Sequence, residues 1–252
     1  MFNTHCHLTD KEYNKDRDQA IERAREAGIS KILTVCSEVS ELDLFGQLLD
    51  KYDFIYGAVG VHPHNARNFE KDWPLLEKAF QKKNVIALGE IGLDYHYNYS
   101  PQPYQIAAFR RQLQIAKEKS LPVIIHSREA MEDSLKIIQE ERVTAGAGVM
   151  HCFSGSIKDM NKCLDLGLYI SIAGPVTFAT ATDLKEIAKN VPTNRLLVET
   201  DDPFLAPEPV RGQRNEPAYL KYILEEIAKM RNISLQELIK ATTKNALLLF
   251  KL

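Results

Sequence analysis

Short runs of apolar and β-branched residues alternate along the chain with longer segments whose apolar residues recur at helical spacing. Phe2 opens the first run, which passes into Asn3-Thr4-His5-Cys6-His7. Residues 16–27 then carry Ala20, Ile21, Ala24 and Ala27 at helical spacing and stop at Gly28, a residue common just past a helix. The same pattern predicts further strands at 31–35, 54–59, 84–89, 122–125, 146–150, 168–172 and 195–198. Helices are predicted at 41–50, 74–82, 103–119, 129–140, 157–165, 182–189, 217–230 and 234–250. Eight strands alternating with helices, without a low-complexity linker or a break in composition, predict a single (β/α)8 barrel over residues 1–252. A doubly wound open sheet shares the alternation. The count of eight, and polar groups reached from many strands, tilt the reading toward closure.

Connection lengths point the same way. Helix-to-strand links such as 28–30 and 119–121 are short, whereas strand-to-helix links at 60–73, 92–102 and 199–216 are long. Long loops on the C-terminal face of a barrel are where active sites are built.

Composition narrows the class. With 44% hydrophobic and 26% charged residues the chain is an ordinary globular protein, and disorder is excluded as its general description. A net charge of −2 argues against coating nucleic acid through a basic surface, though it leaves room for a local phosphate site. No apolar run approaches the roughly 20 residues that span a bilayer, and no basic leader precedes an apolar core, so a cytoplasmic location without membrane contact is expected. Cys6, Cys36, Cys152 and Cys163 lack C-x-x-C spacing and read as free thiols.

The chemistry sits at the strand ends. In an extended strand His5 and His7 share a face about 6.6 Å apart, placed to grip one cation. Glu90 follows strand four, His126 strand five, His151 strand six and Asp201 strand eight, so six groups meet at one mouth. Imidazoles mixed with carboxylates suit zinc, manganese or a similar divalent ion, and six ligands suffice for two ions if Glu90 bridges them. Asn3 and Glu199 share strand faces with ligands and are candidates to orient them, as is Asp94, while Asp202 either reaches the mouth or caps a loop.

In order and spacing, the motifs FNTHCHL, GVHPH, GEIGLDY, HSREA, HCFSG and ETDDPFLAP followed by RGQRNEP resemble the TatD family of metal-dependent deoxyribonucleases, and the terminal TTKNALLLF is similar too. The resemblance runs from residue 2 to about 217. It implies a TIM barrel of the amidohydrolase-like type, with His5, His7, Glu90, His126, His151 and Asp201 at the metal centre. It also implies magnesium-supported DNA cleavage, often as a 3′ to 5′ exonuclease. The chain departs from the family pattern at Asn3 and Thr9, where Asp is usual at both positions, so ligand basicity and metal preference come into question there.

A two-metal centre holding magnesium, manganese or zinc is therefore expected, with Asp201 and Glu90 carrying the reaction and Asp201 accepting a proton from water. His62, His64, Arg128, Arg211 and Asn215 are the candidate phosphate contacts, since guanidinium groups bind phosphate bidentately. Tyr95, Tyr97 and Tyr99 alternate along one loop and are placed either to stack a base or to pack a lid. The expected partner is DNA, single-stranded or at 3′ ends, and a monomer is the default state. Two rival readings share these residues: a metallohydrolase of the same fold acting on an amide or an aminoacyl-tRNA ester, and a noncatalytic metal-dependent module that binds nucleic acid or protein.

Overall fold

A computed structural model describes residues 1–142 and 147–252. Eight parallel strands run in the order of the chain: β1 (Phe2–Cys6), β2 (Lys31–Cys36), β3 (Ile55–Val59), β4 (Val85–Asp94), β5 (Val123–Arg128), β6 (Gly148–Met150), β7 (Tyr169–Ile172) and β8 (Leu196–Val198). Between them lie α1 (Arg17–Glu26), α2 (Leu42–Lys51), α3 (Phe69–Leu76), α4 (Gln102–Glu118), α5 (Met131–Glu140), α6 (Ile157–Asp165) and α7 (Thr182–Asn190), and α8 (Leu220–Arg231) and α9 (Leu235–Phe250) follow β8. The sheet returns on itself. Thr4 Oγ1 donates to the Val198 carbonyl at 2.9 Å, and the amides of Asp201 and His7 bond the carbonyls of His5 and Asp202. The open-sheet alternative is thereby excluded.

Inside the barrel, Phe2, Leu33, Val35, Ala58, Ala87, Ile124, Val149 and Leu197 form an apolar floor. Ala246, Leu249 and Phe250 of α9 close it from below, with the Phe2 and Phe250 rings 5.9 Å apart. Ser234 starts α9 with a capping box, its hydroxyl accepting from the Glu237 amide while the Glu237 carboxylate accepts from the Ser234 amide. The opposite, C-terminal rim is where the strands turn polar.

Two boundaries differ from the sequence reading. The helix expected at 74–82 lies earlier, at Phe69–Leu76, and a 3₁₀ turn over Glu77–Gln81 follows it. Phe69, Trp73 and Leu76, spaced for one face, bury together and override the stop signal of Pro74 inside the helix. Strand β4 continues past Gly89 to Asp94, because Ile91 through Asp94 pair with Ile125 through Arg128 of β5. Gly92 permits this approach: at φ +143° it has no side chain, and a Cβ there would lie 1.9 Å from the His126 carbonyl oxygen. The start expected for the sixth strand, Gly146, lies outside the described residues. No helix among the described residues is long and apolar enough to cross a membrane.

Candidate metal centre

Two strands carry the central side chains, and each is irregular where it does so. The β1 register shifts between Asn3 and Cys6, and the β4 register shifts between Leu88 and Ile91. Such a shift re-aims side chains that strict alternation would point elsewhere. It turns His5, His7 and Glu90 into the mouth and leaves Asn3 out of it. After β8, Asp201 holds a left-handed backbone at φ 56°, and Cys152, next to His151, does so at φ 42°. Non-glycine residues in that region concentrate at functional turns.

Glu90 lies at the middle, 3% exposed, with its two oxygens facing different neighbours. Its Oε2 lies 3.4 Å from His5 Nε2 and 3.9 Å from His7 Nε2. Asp201 Oδ1 lies 3.5 Å from both imidazoles, whose Nε2 atoms are 3.1 Å apart. Ligands about 2.1 Å from a tetrahedral ion stand roughly 3.4 Å from one another, so His5, His7 and Glu90 have about the spacing of ligands to one ion, with Asp201 beside both imidazoles. His5 is fully buried, and among the described residues its Nδ1 makes no hydrogen bond.

The other oxygen, Oε1, lies 2.7 Å from His126 Nδ1, 3.3 Å from His151 Nε2 and 3.6 Å from His62 Nε2. Behind two of these rings stand carboxylates. Asp94 Oδ2 accepts from His126 Nε2 at 3.1 Å, and Glu199 Oε1 lies 2.7 Å from His151 Nδ1. Each carboxylate favours a proton on the far ring nitrogen, so the near one, which donates to Glu90 while it carries a proton, would offer its lone pair once a cation replaced that proton. His62 is built the other way. Its Nδ1 accepts the His64 amide at 3.2 Å, so its proton lies on Nε2, the atom facing the centre. His62 can therefore donate a hydrogen bond there, whereas His126 and His151 can donate an electron pair to a cation.

Electrostatics follows from this crowding. Burial pushes His62 down to about 4, leaving the ring neutral. Burial also works against a charged His7, but the hydrogen bond and charge of Asp201 outweigh it and lift the imidazole to about 9. For Glu90, burial acts upward, and His151 and His62 together with hydrogen bonds from His126 and His151 hold the carboxyl well below its usual range. A cation entering here competes with protons for the same lone pairs.

Several expectations change place. Asn3 bonds to neither His5 nor His7. Its amide donates to Thr200 Oγ1 at 2.6 Å and its oxygen accepts the Thr200 amide at 3.0 Å, which ties β1 to the chain after β8. Asn215 is fully buried, with its amide given to the carbonyls of Thr200 and Phe204 and its oxygen to the Glu216 amide, so no polar atom is left for phosphate. Arg211 lies over the Phe178 ring at 4.0 Å and pairs with Glu208, away from the cleft. Asp202 is a buried brace that accepts from Tyr13 at 2.5 Å and from Thr200, and burial pushes it up to about 6. Tyr95 turns inward to Asp133, separating it from Tyr97 and Tyr99. Thr9, where the family pattern has Asp, donates to Glu41 at 2.8 Å, a contact two carboxylates would not make.

His64 and Arg128 do reach the cleft, a space of about 590 Å³ over the centre. Glu38 and Glu41, just past β2, also line it, as do Phe204 and Leu205 past β8. The strand-end rule that found the histidines would have found the two glutamates had it been applied to β2.

Comparison with known proteins agrees with this geometry. The family model TatD related DNase matches residues 2–251. The chain is 42% identical to an uncharacterized metal-dependent hydrolase, YabD, of Bacillus subtilis, covering all of this chain and 99% of that one. It is 36% identical to the 3′-5′ ssDNA/RNA exonuclease TatD of Erwinia tasmaniensis over the full length of both. Among solved structures, the TatD homologue YjjV of Escherichia coli superposes with a TM-score of 0.92 at 28% identity, covering 100% of this chain and 98% of that one.

Proposed function

Since the chain belongs to the TatD family of metal-dependent hydrolases, we propose that it cleaves phosphodiester bonds of DNA from the 3′ end, using two divalent cations that would both be held with the help of Glu90. The supporting observation is the division of Glu90, whose Oε2 faces His5 and His7, with Asp201 beside both, while Oε1 faces His126 and His151. When bound, a cation pair lowers the pKa of water and neutralises charge on phosphoryl oxygens. His5, His7 and Asp201 would hold one cation, and His126 and His151 the other. Asp201, 13% exposed and open to the cleft, accepts the proton of the attacking water. His62 donates from Nε2 to a phosphate oxygen, and Arg128 and His64 fix the remaining phosphate charge at the rim. A relative named as a 3′-5′ ssDNA/RNA exonuclease supports both the polarity of attack and the polymer.

The test is a time course on 3′- and 5′-labelled single-stranded and duplex DNA, with metal-free protein supplied with magnesium, manganese or zinc. Metal-dependent release of mononucleotides from the 3′ end is expected, and Glu90→Ala should abolish it. Folded, metal-loaded protein that cleaves no strand would refute the proposal and direct attention to amide and ester substrates.

A further inference from the structure

Helix α4 carries two glutamines with no part in the site described so far. Gln105 and Gln112 are fully buried, and their spacing sets them two turns apart on one face of α4. A primary amide carries two donor protons and an acceptor oxygen, and burying it is costly unless these are bonded. Both side chains direct them to main chain at the rim of the barrel. Gln112 Oε1 accepts the Val61 amide at 2.7 Å, and its Nε2 donates to the Val61 carbonyl at 3.1 Å. Gln105 Oε1 accepts the Asp94 amide at 2.8 Å, and its Nε2 donates to the carbonyls of Asp94 at 2.9 Å and Ser100 at 2.7 Å.

The sheet explains the need. Strand β3 pairs with β4 only as far as Val59 and Leu88, while β4 runs on to Asp94 beside β5. Beyond that point the two chains no longer serve each other as partners, yet Val61 and Asp94 are buried and their main-chain groups must be bonded. Each glutamine amide meets both the N–H and the C=O of one residue, as a facing strand would. What is fixed in this way is the footing of two cleft loops. Val61 adjoins His62, whose Nε2 faces Glu90 Oε1 at 3.6 Å. Asp94 Oδ2 lies 3.1 Å from His126 Nε2 and 2.9 Å from His64 Nε2. Ser100, held at its carbonyl by Gln105, donates from Oγ to the His64 carbonyl at 2.7 Å, which ties the second loop back to the first.

We propose that Gln112 and Gln105 are positioning residues for two different tasks of the site: Gln112 sets the His62 Nε2 proton against the scissile phosphate, and Gln105 sets Asp94 against His126 and so governs the cation on the Oε1 side of Glu90. A strand end held by its ladder neighbours needs no such help. Here β3 and β4 part below the rim, and α4 supplies the missing partner from outside the barrel. The two tasks differ because the loops differ. His62 faces the centre with a hydrogen-bond donor, whereas His126 faces it as a cation ligand with Asp94 at its far nitrogen. The inference rests on the nuclease reading above and adds to it two residues that touch neither substrate nor metal.

Gln112→Met and Gln105→Met keep an unbranched side chain and remove its polar end. Gln112→Met should lower kcat/KM on DNA roughly 10- to 100-fold, since a misplacement of about 1 Å at a positioned group costs up to that much, with both cation affinities at wild-type values. Gln105→Met should weaken one cation equivalent about tenfold, the lower end of what losing the carboxylate partner itself costs, and leave the other unchanged. Double-mutant cycles separate positioning from a role in folding alone. In His62→Ala protein the further Gln112→Met change should alter kcat/KM by less than about twofold, and in Asp94→Ala protein Gln105→Met should alter cation affinity by less than about twofold. Should a methionine variant not fold, Gln112→Glu or Gln105→Glu, which keeps the oxygen facing the main-chain N–H, replaces it in the same cycle. Undiminished losses in these backgrounds, or the same mix of turnover and cation loss in both variants, would overturn the proposal and leave the glutamines as supports of the fold. Wild type that binds two cations but cleaves no strand would instead refute the nuclease reading and the role of Gln112 with it, while the cation titrations still decide Gln105.

Discussion

The two sides of Glu90 reach a similar donor arrangement by different means. On the Oε2 side the donors are fixed by the backbone: an irregular β1 aims His5 and His7, and a left-handed turn aims Asp201. His5 Nδ1 makes no hydrogen bond among the described residues, and its ring stacks on that of His151 at 3.7 Å. On the Oε1 side the imidazoles are fixed by other side chains, Asp94 behind His126 and Glu199 behind His151. One side is held by chain geometry and the other by the carboxylates beside its rings. Substitutions can therefore weaken them separately.

The largest effect should come from the residue they share. Glu90→Ala removes an oxygen from each side and leaves five surrounding donors without their common acceptor. Turnover should fall by more than the ~10²- to 10⁴-fold that one positioned proton acceptor supplies, and the protein should bind both cation equivalents weakly. Metal content per chain, measured beside activity, reads both. A Glu90→Ala protein that kept one tight equivalent would mean that the two sides do not share this carboxylate.

A smaller effect should separate the sides. Asp94→Asn and Glu199→Gln leave every donor atom facing Glu90 in place but remove the charge that holds a proton on the far nitrogen of His126 or His151. Partners of this kind are worth about 10- to 100-fold in metal affinity. Calorimetric titration should show one equivalent weakened by that factor and the other unchanged. Equal weakening of both would break the comparison.

How much of this was legible beforehand depends on what each feature rests upon. Helical and strand periods revealed the barrel, since burying one face is a local demand repeated eight times. His5, His7, Glu90, His126, His151 and Asp201 were singled out because all end apolar runs, and the structure places the four histidines against Glu90, with Asp201 beside three of them. What escaped was set by non-local geometry. The β1 irregularity moved Asn3 off the face that a period of two assigned to it, and Asn215 and Arg211, polar and beside a motif, were absorbed by carbonyls and by Phe178. His62 read as a phosphate contact, and only the His64 amide at its Nδ1 shows which nitrogen carries the proton. Phe204 and Leu205 were passed over because exposed apolar residues leave no periodic mark in a loop.

Asn3 supplies the smallest and most selective test. Thr200 has one hydroxyl proton, and it is given to Asp202, so Thr200 Oγ1 faces Asn3 as an acceptor. The Asn3 amide satisfies it, and a carboxylate could not. Asn3→Asp would place two acceptors 2.6 Å apart in a fully buried site, which should lower the unfolding free energy at pH 7 by about 1–3 kcal/mol. Protonation restores the donor, so the new carboxyl should have a folded-state pKa above its unfolded value near 3.9. A raised pKa means that the folded variant binds the extra proton: its deficit against wild type should be full above that raised pKa and vanish below about pH 4. Urea titrations across pH 4–8 measure this. Because Asn3 touches neither side of Glu90, both cation affinities should stay at wild-type values in the same variant. If Asn3→Asp instead shifted metal affinity at constant stability, Asn3 would belong with Asp94 and Glu199 as a residue that tunes a ligand, and β1 would hold its side of the centre by hydrogen bonding after all.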